Sequence, residues 1–405
     1  MGHRFTLCGS SNRSCRAIFG YVAPIGSYFR TQTETKDMSS STANRVFNFS
    51  AGPAVLPLPV LQQIQDEMFS LPGVGSSVLE ISHRSKDFDS IIEDATTRLG
   101  RLLNLPDTHE VLFLQGGAAL QNAMIASNFL TDKSQTADYI VNGSWGKKSA
   151  AEVHRFGNLN IAWDGTDSGF SAVPTQDQLS LTDGAAYCHL TSNETIQGVQ
   201  FKQLPDTGDV PIIVDQSSDF MSRPVNISDF GMIYACAQKN AGIAGVTVVV
   251  LEKKLLERCD DRLPSYLNFA IHSDKGSRFN TPPSFAIYVT GLVCKWLEDE
   301  FGDLEKIGQF NQSKAKLLYD IIDGSGGYYK GHAAKECRSD MNVVFTLGSK
   351  ELEAKFLAEA VQAGMKTLNG HRSLGGIRAS IYNAMPLEGV ETLAQFMTDF
   401  VANNG

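Results

Sequence analysis

Lys239 lies in Tyr234-Ala-Cys-Ala-Gln-Lys239-Asn-Ala-Gly242-Ile-Ala-Gly245, between two apolar, β-like runs, Met232–Ala237 and Val246–Leu251. Moving an ammonium toward an apolar interior lowers its pKa, which turns a lysine into a nucleophile or base near neutral pH. These residues alone leave two readings open: a side chain that snorkels from a strand end, as most lysines do, or one that forms an imine with a carbonyl compound. A carboxylate stands close by in sequence. Asp215 ends the apolar run Val210-Pro-Ile-Ile-Val-Asp215, and Met232–Cys236 reads as the strand that leads to Lys239. In an open parallel sheet both would emerge at strand C-termini on one edge, where ligands bind.

Three further stretches could serve the same edge. Val111-Leu-Phe-Leu114 runs into Gln115-Gly-Gly-Ala118-Ala119-Leu-Gln121 and then a helical stretch through Phe129. Strand, glycine turn and helix start aim free backbone N–H groups at a phosphate. The absence of GxGxxG and GxxxxGK[ST] speaks against dinucleotide and nucleoside-triphosphate sites. Tyr139-Ile-Val141 leads to a turn carrying Trp145, a core aromatic or a flat platform for a planar ring. The strand Ala185–Leu190 runs into Thr191-Ser-Asn-Glu-Thr195-Ile-Gln-Gly198, a polar strand end with hydroxyls to spare. Jointly these fit pyridoxal 5′-phosphate: a lysine for the aldehyde, an aspartate for the ring nitrogen, an aromatic face and a helix start for the phosphate. Two arginine-histidine pairs, His83-Arg84 and His371-Arg372, together with Arg378, suit a substrate with more than one anionic group.

The elements that must position these residues form an α/β chain. At 405 residues it exceeds what one core supports, so two domains are expected. The expected layout is a leader and linker over 1–44, an N-terminal arm over 45–57, a large domain with a mostly parallel sheet over 58–304, and a smaller α+β domain over 305–405. Amphipathic spacing predicts helices over Val60–Phe69, Phe88–Leu103, Phe285–Glu300 and from an Asp303 N-cap through Ile322. Net charge is −9, which gives no nucleic-acid footprint. The longest apolar run, Ala241–Leu251, is far short of the roughly 18 residues that cross a bilayer. Seven cysteines without CxxC spacing argue for a reducing compartment and against a zinc site. Residues 1–33 hold Arg4, Arg13, Arg16 and Arg30 and no acid, the composition of an organellar transit peptide; plastid and mitochondrion are not separated by it, and a cytosolic extension is the alternative.

From Phe47 to Asn404 the sequence resembles the phosphoserine aminotransferase family of the class V, fold-type I aminotransferases. The stretches that carry the resemblance are FNFSAGPAVLP, EISHRSKDF, SNETIQG, AQKN followed by GIAG, RFNTPPSF, GLVCKWL and GHRSLGGIRASIYNAMPLEGV. It implies a homodimer with shared active sites that moves an amino group between glutamate and 3-phosphohydroxypyruvate, giving phosphoserine and 2-oxoglutarate. By resemblance, Lys239 carries the cofactor and Gln238 meets its phosphate. Asp215 pairs with the pyridine nitrogen, Thr195 lies beside the ring hydroxyl and Trp145 stacks. The N–H groups of Ala118 and Ala119 meet the phosphate, as do Asn280 and Thr281 of the neighbouring subunit. His83, Arg84, His371 and Arg372 match the distal-anion cluster, and Arg378 the α-carboxylate ligand. No metal is implied. One departure is Asn122, where relatives carry phenylalanine, which puts local packing rather than activity in question. The alternatives are another class V enzyme, such as an alanine–glyoxylate aminotransferase or a cysteine desulfurase, or a non-catalytic α/β binding protein. The paired His-Arg motifs oppose the first, since glyoxylate has no distal anion.

Overall fold

Seven short strands, most of them apolar, pair into one sheet. They are β1 (His109–Leu114), β2 (Thr136–Val141), β3 (Asn158–Asp164), β4 (Cys188–Thr191), β5 (Ile212–Asp215), β6 (Met232–Cys236) and β7 (Thr247–Glu252). Their order is β1-β7-β6-β5-β4-β2-β3. The pairs β6–β5, β5–β4, β4–β2 and β2–β3 are parallel, whereas β7 runs antiparallel to both neighbours. Six strands therefore point one way, and their C-terminal ends share an edge. The structure is a computed structural model that describes residues 45–405; the expected leader and linker lie outside the described residues.

Alternation along the strands builds a core on each face of the sheet. Val111, Phe113, Ile233, Ala235, Val248 and Val250 pack with Phe88 and Leu99 of α1 (Lys86–Leu102) and with Ile287 and Leu297 of the helix Ser284–Glu300. Leu112, Leu114, Tyr234, Val249 and Leu251 turn to the other face, against Ile125 and Phe129 of α2 (Gly117–Phe129). Helix α1 starts where Ser85 Oγ accepts from Phe88 N at 3.3 Å, with Asp87 and Asp89 in the first turn, so His83 and Arg84 sit just ahead of a capped helix start. The edge strand β3 has no counterpart in the sequence reading. Its Leu159 and Ile161 stay 37% exposed and only Ala162 is buried, so it lacks the buried-strand signature.

A second core follows in the chain. An antiparallel sheet of β8 (Lys330–Gly331), β9 (Asn342–Thr346) and β10 (Ile377–Ser380), in that order, packs with the helices Lys350–Gln362 and Leu387–Asn404. Phe345, Phe356, Ile377, Leu393 and Phe400 are its centre. The expected Asp303 cap is present: its Oδ1 accepts from Lys306 N at 2.9 Å, and the helix runs Leu304–Gly324. The N-terminal arm pairs Phe47–Asn48 with Met365–Lys366 and sinks Phe49 into this core before turning toward Lys239. Among the described residues no helix is long and apolar enough to cross a membrane, and no group of three or more His, Cys, Asp or Glu side chains could hold a metal.

Candidate active site

Lys239 emerges just beyond the C-terminal end of β6. Its Nζ donates to Thr195 Oγ1 at 2.7 Å and stands 5.4 Å from the centre of the Trp145 ring. Three stretches far apart in sequence are thus joined at one amine. Burial pushes the amine's pKa down, Asp215, Cys236 and Glu194 pull it up, and Arg378 adds to the lowering. The neighbouring Asn240 pins the segment on both sides: its Nδ2 donates to Phe220 O at 2.6 Å and its Oδ1 accepts from Asn383 N at 2.9 Å. The arm closes over the lysine stem. Ala54 N donates to Gln238 O at 2.9 Å, and a Cβ on Gly52 would come 3.3 Å from Lys239 Cγ at a φ of +146°. Only glycine suits that close approach and that backbone angle.

Asp215 ends β5 opposite Tyr234 of β6, and it is 7% exposed. Ser217 N donates to its Oδ1 at 2.8 Å, while Ser217 Oγ accepts from Cys236 N at 3.0 Å. Burial raises the carboxyl's pKa, while Lys239, Ser217 and Tyr234 lower it. A buried carboxylate of this kind holds its charge through cationic or hydrogen-bonding company, which a protonated ring nitrogen would supply.

Trp145 lies in a short helix, α3 (Ser144–Ala150), rather than in a turn. Beneath that helix sits Glu194, a residue that sequence alone marks only as part of a polar strand end. Its Oε1 accepts from Trp145 N at 3.0 Å and Gly146 N at 2.8 Å, and the side chain is fully buried. Glycine is required at 143, where a Cβ would stand 2.3 Å from Glu194 Cδ. Burial pushes the Glu194 carboxyl up to about 7, against the two N–H donors. Trp145 therefore owes its orientation to an acid one residue before Thr195.

At the start of α2, Gly116 takes a left-handed conformation with φ +84° and no side chain caps the helix. Ala118 N donates to Cys236 Sγ at 3.1 Å, a weak acceptor that a phosphate oxygen would outcompete. Gln115 ties this turn to the predicted Asn280–Thr281 pair within one chain: Asn280 Nδ2 donates to its Oε1 and its Nε2 donates to Thr281 O, both at 3.2 Å. Neither Asn280 nor Thr281 has a hydrogen bond to Lys239, Asp215 or Gln238 among the described residues. Asn122 is no packing defect: its Oδ1 accepts from Tyr234 Oη at 3.0 Å and Ser149 Oγ at 3.1 Å.

The cations divide. Arg378 of β10 reaches the cluster, its Nη1 donating to Thr195 O at 3.4 Å. His371 is pushed down by burial and by the positive charges of Arg378, Arg372 and Lys148. His83 and Arg84 have no side-chain hydrogen bond or ion pair among the described residues; only Arg84 N donates, to Ser82 Oγ at 3.3 Å. The fit to pyridoxal phosphate is good. An indole ring stands 5.4 Å from the amine, a buried carboxylate ends the neighbouring strand, and an uncapped helix start offers free N–H groups.

Residues 46–393 match the family described as Aminotransferase class-V. A phosphoserine aminotransferase of Rhodopirellula baltica is 50% identical over 374 residues, covering 92% of this chain and all of the relative. One from Geobacillus kaustophilus is 48% identical over 356 residues, 88% of this chain and 98% of the relative. Among solved structures, the phosphoserine aminotransferase from Bacillus circulans subsp. alkalophilus superposes with a TM-score of 0.87 at 47% identity, covering 89% of this chain and 99% of that one. The pyridoxal-phosphate-bound enzyme from Trichomonas vaginalis gives 0.83 at 38% identity, covering 87% and 100%. The chain belongs to the class-V aminotransferases, within their phosphoserine aminotransferase branch.

Proposed function

We infer that this chain transfers an amino group between glutamate and 3-phosphohydroxypyruvate, yielding O-phospho-L-serine and 2-oxoglutarate, with pyridoxal 5′-phosphate as cofactor. The observation that carries the reading is the junction of Lys239, Thr195 and Trp145, with Asp215 at the neighbouring strand end and Arg378 bonded to Thr195 O. When bound, the cofactor supplies an aldehyde for the amine and a ring that takes up the electron pair left as the substrate's α-C–H bond breaks.

The chain's own residues do the rest. Lys239 Nζ, its pKa lowered by burial, removes the α-proton from the amino acid and returns one to the α-carbon of the oxo acid. Thr195 Oγ1 holds that amine in place between the two transfers. Asp215 would hold its charge opposite the cofactor's ring nitrogen, and the buried setting would strengthen that pairing. Arg378 offers a fork to the α-carboxylate, and His371 and Arg372 meet the distal anion. Glutamate and phosphoserine both carry such an anion, so one cluster serves each in turn. The arm over Lys239 keeps water from the reacting carbon.

The test is a coupled assay with 2-oxoglutarate as acceptor, comparing phosphoserine with alanine and serine as donors. Turnover with phosphoserine at least about a hundredfold above the other two, in kcat/KM, supports the reading, since a distal anion is what the cluster recognises. Comparable rates for alanine would sink it.

Assembly belongs to the same proposal. The active unit is a homodimer in which Asn280 and Thr281 of each chain complete the partner's phosphate site. In support, among the described residues this pair bonds Gln115 and makes no hydrogen bond to Lys239, Asp215 or Gln238 of its own chain. Phe69, 89% exposed, and Leu79, 61% exposed, offer apolar surface for such a contact. We also propose the division into a cofactor-binding domain over 58–304 and a smaller domain over 305–405, and import into a plastid or mitochondrion on the strength of the acid-free leader. Residues 1–44 fused to a fluorescent protein should reach an organelle; a diffuse cytosolic signal would refute the import step.

A further inference from the structure

Two adjacent lysines in α3 part company. Lys147 and Lys148 follow Trp145 by two and three residues, and both are exposed. Asp164, at the end of β3, has its carboxyl pKa lowered mainly by hydrogen bonds from Thr166, and Lys147 adds a smaller pull, as a solvated surface lysine does. Lys148 lies one helical turn from Trp145, and its Nζ stands 4.3 Å from the centre of the indole. It makes no ion pair with a carboxylate among the described residues. Positive charge from separate elements thus meets at the cluster around Trp145 and Lys239: Lys148 of α3 stands over the indole and Arg378 of β10 bonds Thr195 O, while Arg372, in the turn before β10, acts with both on His371. Glu194 is spent on the N–H groups of α3, and Glu152, four residues after Lys148, pairs with Arg155. Like charges gathered in this way repel one another until an anion enters, so their placement is explained by a ligand.

The two substrates differ in the charge of that ligand. A glutamate side chain brings one negative charge, whereas a phosphate monoester brings between about 1.5 and 2 at neutral pH. The cluster predicted from sequence, His83, Arg84, His371 and Arg372, must serve both. We propose that Lys148 is a specificity-determining substrate residue, supplying the added positive charge that the distal phosphate requires and the distal carboxylate does not. A lysine suits the task, being a compact point charge on a flexible stem that can turn toward a phosphate and away from a carboxylate. Resting against Trp145 holds the ammonium near the mouth of the site without a carboxylate partner that would neutralise it.

The proposal rests on the transamination reading above, and the experiment separates the two. Holoenzyme, Lys148→Met and Lys148→Arg are compared for KM and kcat with phosphoserine and with glutamate, and for competitive inhibition by inorganic phosphate. In Lys148→Met the phosphoserine KM and the phosphate inhibition constant should each rise about tenfold, the worth of one charge-assisted contact. The glutamate KM should move less than about twofold, and Lys148→Arg should recover most of the phosphate affinity. An equal rise for both substrates, or unchanged inhibition by phosphate, overturns the assignment. Cofactor affinity is measured alongside by fluorescence: weakened cofactor with matching losses for both substrates would assign Lys148 to the support of Trp145 instead and likewise overturn it. Failure of the unmutated enzyme to use phosphoserine would strike the transamination reading itself.

Discussion

Trp145 N donates to both carboxylate oxygens of Glu194, at 3.0 and 3.1 Å, so a buried acid holds the backbone of the residue whose ring flanks Lys239. Burial raises the Glu194 carboxyl from 4.5 to about 7. A folded-state pKa above the unfolded one means that Glu194 contributes stability that is fully present below about pH 4.5 and lost as pH rises through about 7. Glu194→Gln removes that slope and keeps an acceptor for the N–H groups. Its melting temperature relative to the unmutated protein should rise between pH 5 and pH 8, by a difference on the order of 3 kcal/mol in stability. A difference that stays flat over this range would contradict the raised pKa.

Lys239→Ala should abolish the visible absorbance of bound cofactor and reduce turnover below about one part in a thousand, because it removes both the covalent attachment and the proton carrier. Asp215→Asn should retain cofactor more weakly and lower kcat by about a hundredfold or more, through loss of the charge opposite the ring nitrogen. Full transamination by either variant would reject the site.

Lys314 is fully buried and donates to Ile381 O, Tyr382 O and Met385 O at 3.0, 2.8 and 3.1 Å. It closes the loop that follows β10 and leads to Asn383, the partner of Asn240. Lys314→Met strands the carbonyls of Ile381 and Met385, while Tyr382 O keeps its bond from Met385 N, and should cost about 3 kcal/mol or more in denaturant unfolding. A loss below about 1 kcal/mol would show that those carbonyls find other donors.

Asn122→Leu leaves the Tyr234 and Ser149 hydroxyls without their shared acceptor in the core beside Asp215. The expected loss is about 1–3 kcal/mol, read as a lower midpoint in urea with an unchanged slope. A neutral result would mean that the hydroxyls satisfy each other through His189, whose Nε2 lies 2.9 Å from Tyr234 Oη and 3.3 Å from Ser149 Oγ.

Shared sites predict complementation. A mixture of Lys239→Ala chains with chains carrying both Asn280→Ala and Thr281→Ala, unfolded and refolded together, should exceed the activity of either parent, because a mixed dimer contains one intact site. Activity no higher than the mean of the parents, together with a monomer by light scattering, would refute the shared site.

The chemistry-bearing residues at strand ends were legible in the sequence because apolar runs end abruptly in Asp215, Gly116 and Lys239, and a hydrophobic run that stops at a polar group marks a sheet edge. Helix Ser284–Glu300 and the Asp303 cap were legible through periodicity and local capping chemistry. Glu194, Gln115 and Lys148 were not, since each is defined by a partner distant in the chain and nothing in its neighbours distinguishes it. Glu194 does carry one signal: an acid within an otherwise uncharged stretch, Thr191 to Gln200, that is buried throughout. The antiparallel course of β7 was also hidden, although the short link from Cys236 to Thr247 leaves no room for the helical crossover that a parallel strand needs.

That short link decides how Lys239 is mounted. Every parallel connection in the sheet ends in a loop that leads away to another element, free at its far end to drift with whatever it joins. Lys239 instead rides on a hairpin whose two legs are adjacent strands of the same sheet, with Ala237 N bonded to Val246 O across it. Both feet of the mount move with one rigid body. The amine can therefore swing between two carbon atoms through side-chain rotation alone, and sequence drift in the surrounding loops can alter what the enzyme accepts without disturbing the post from which it works.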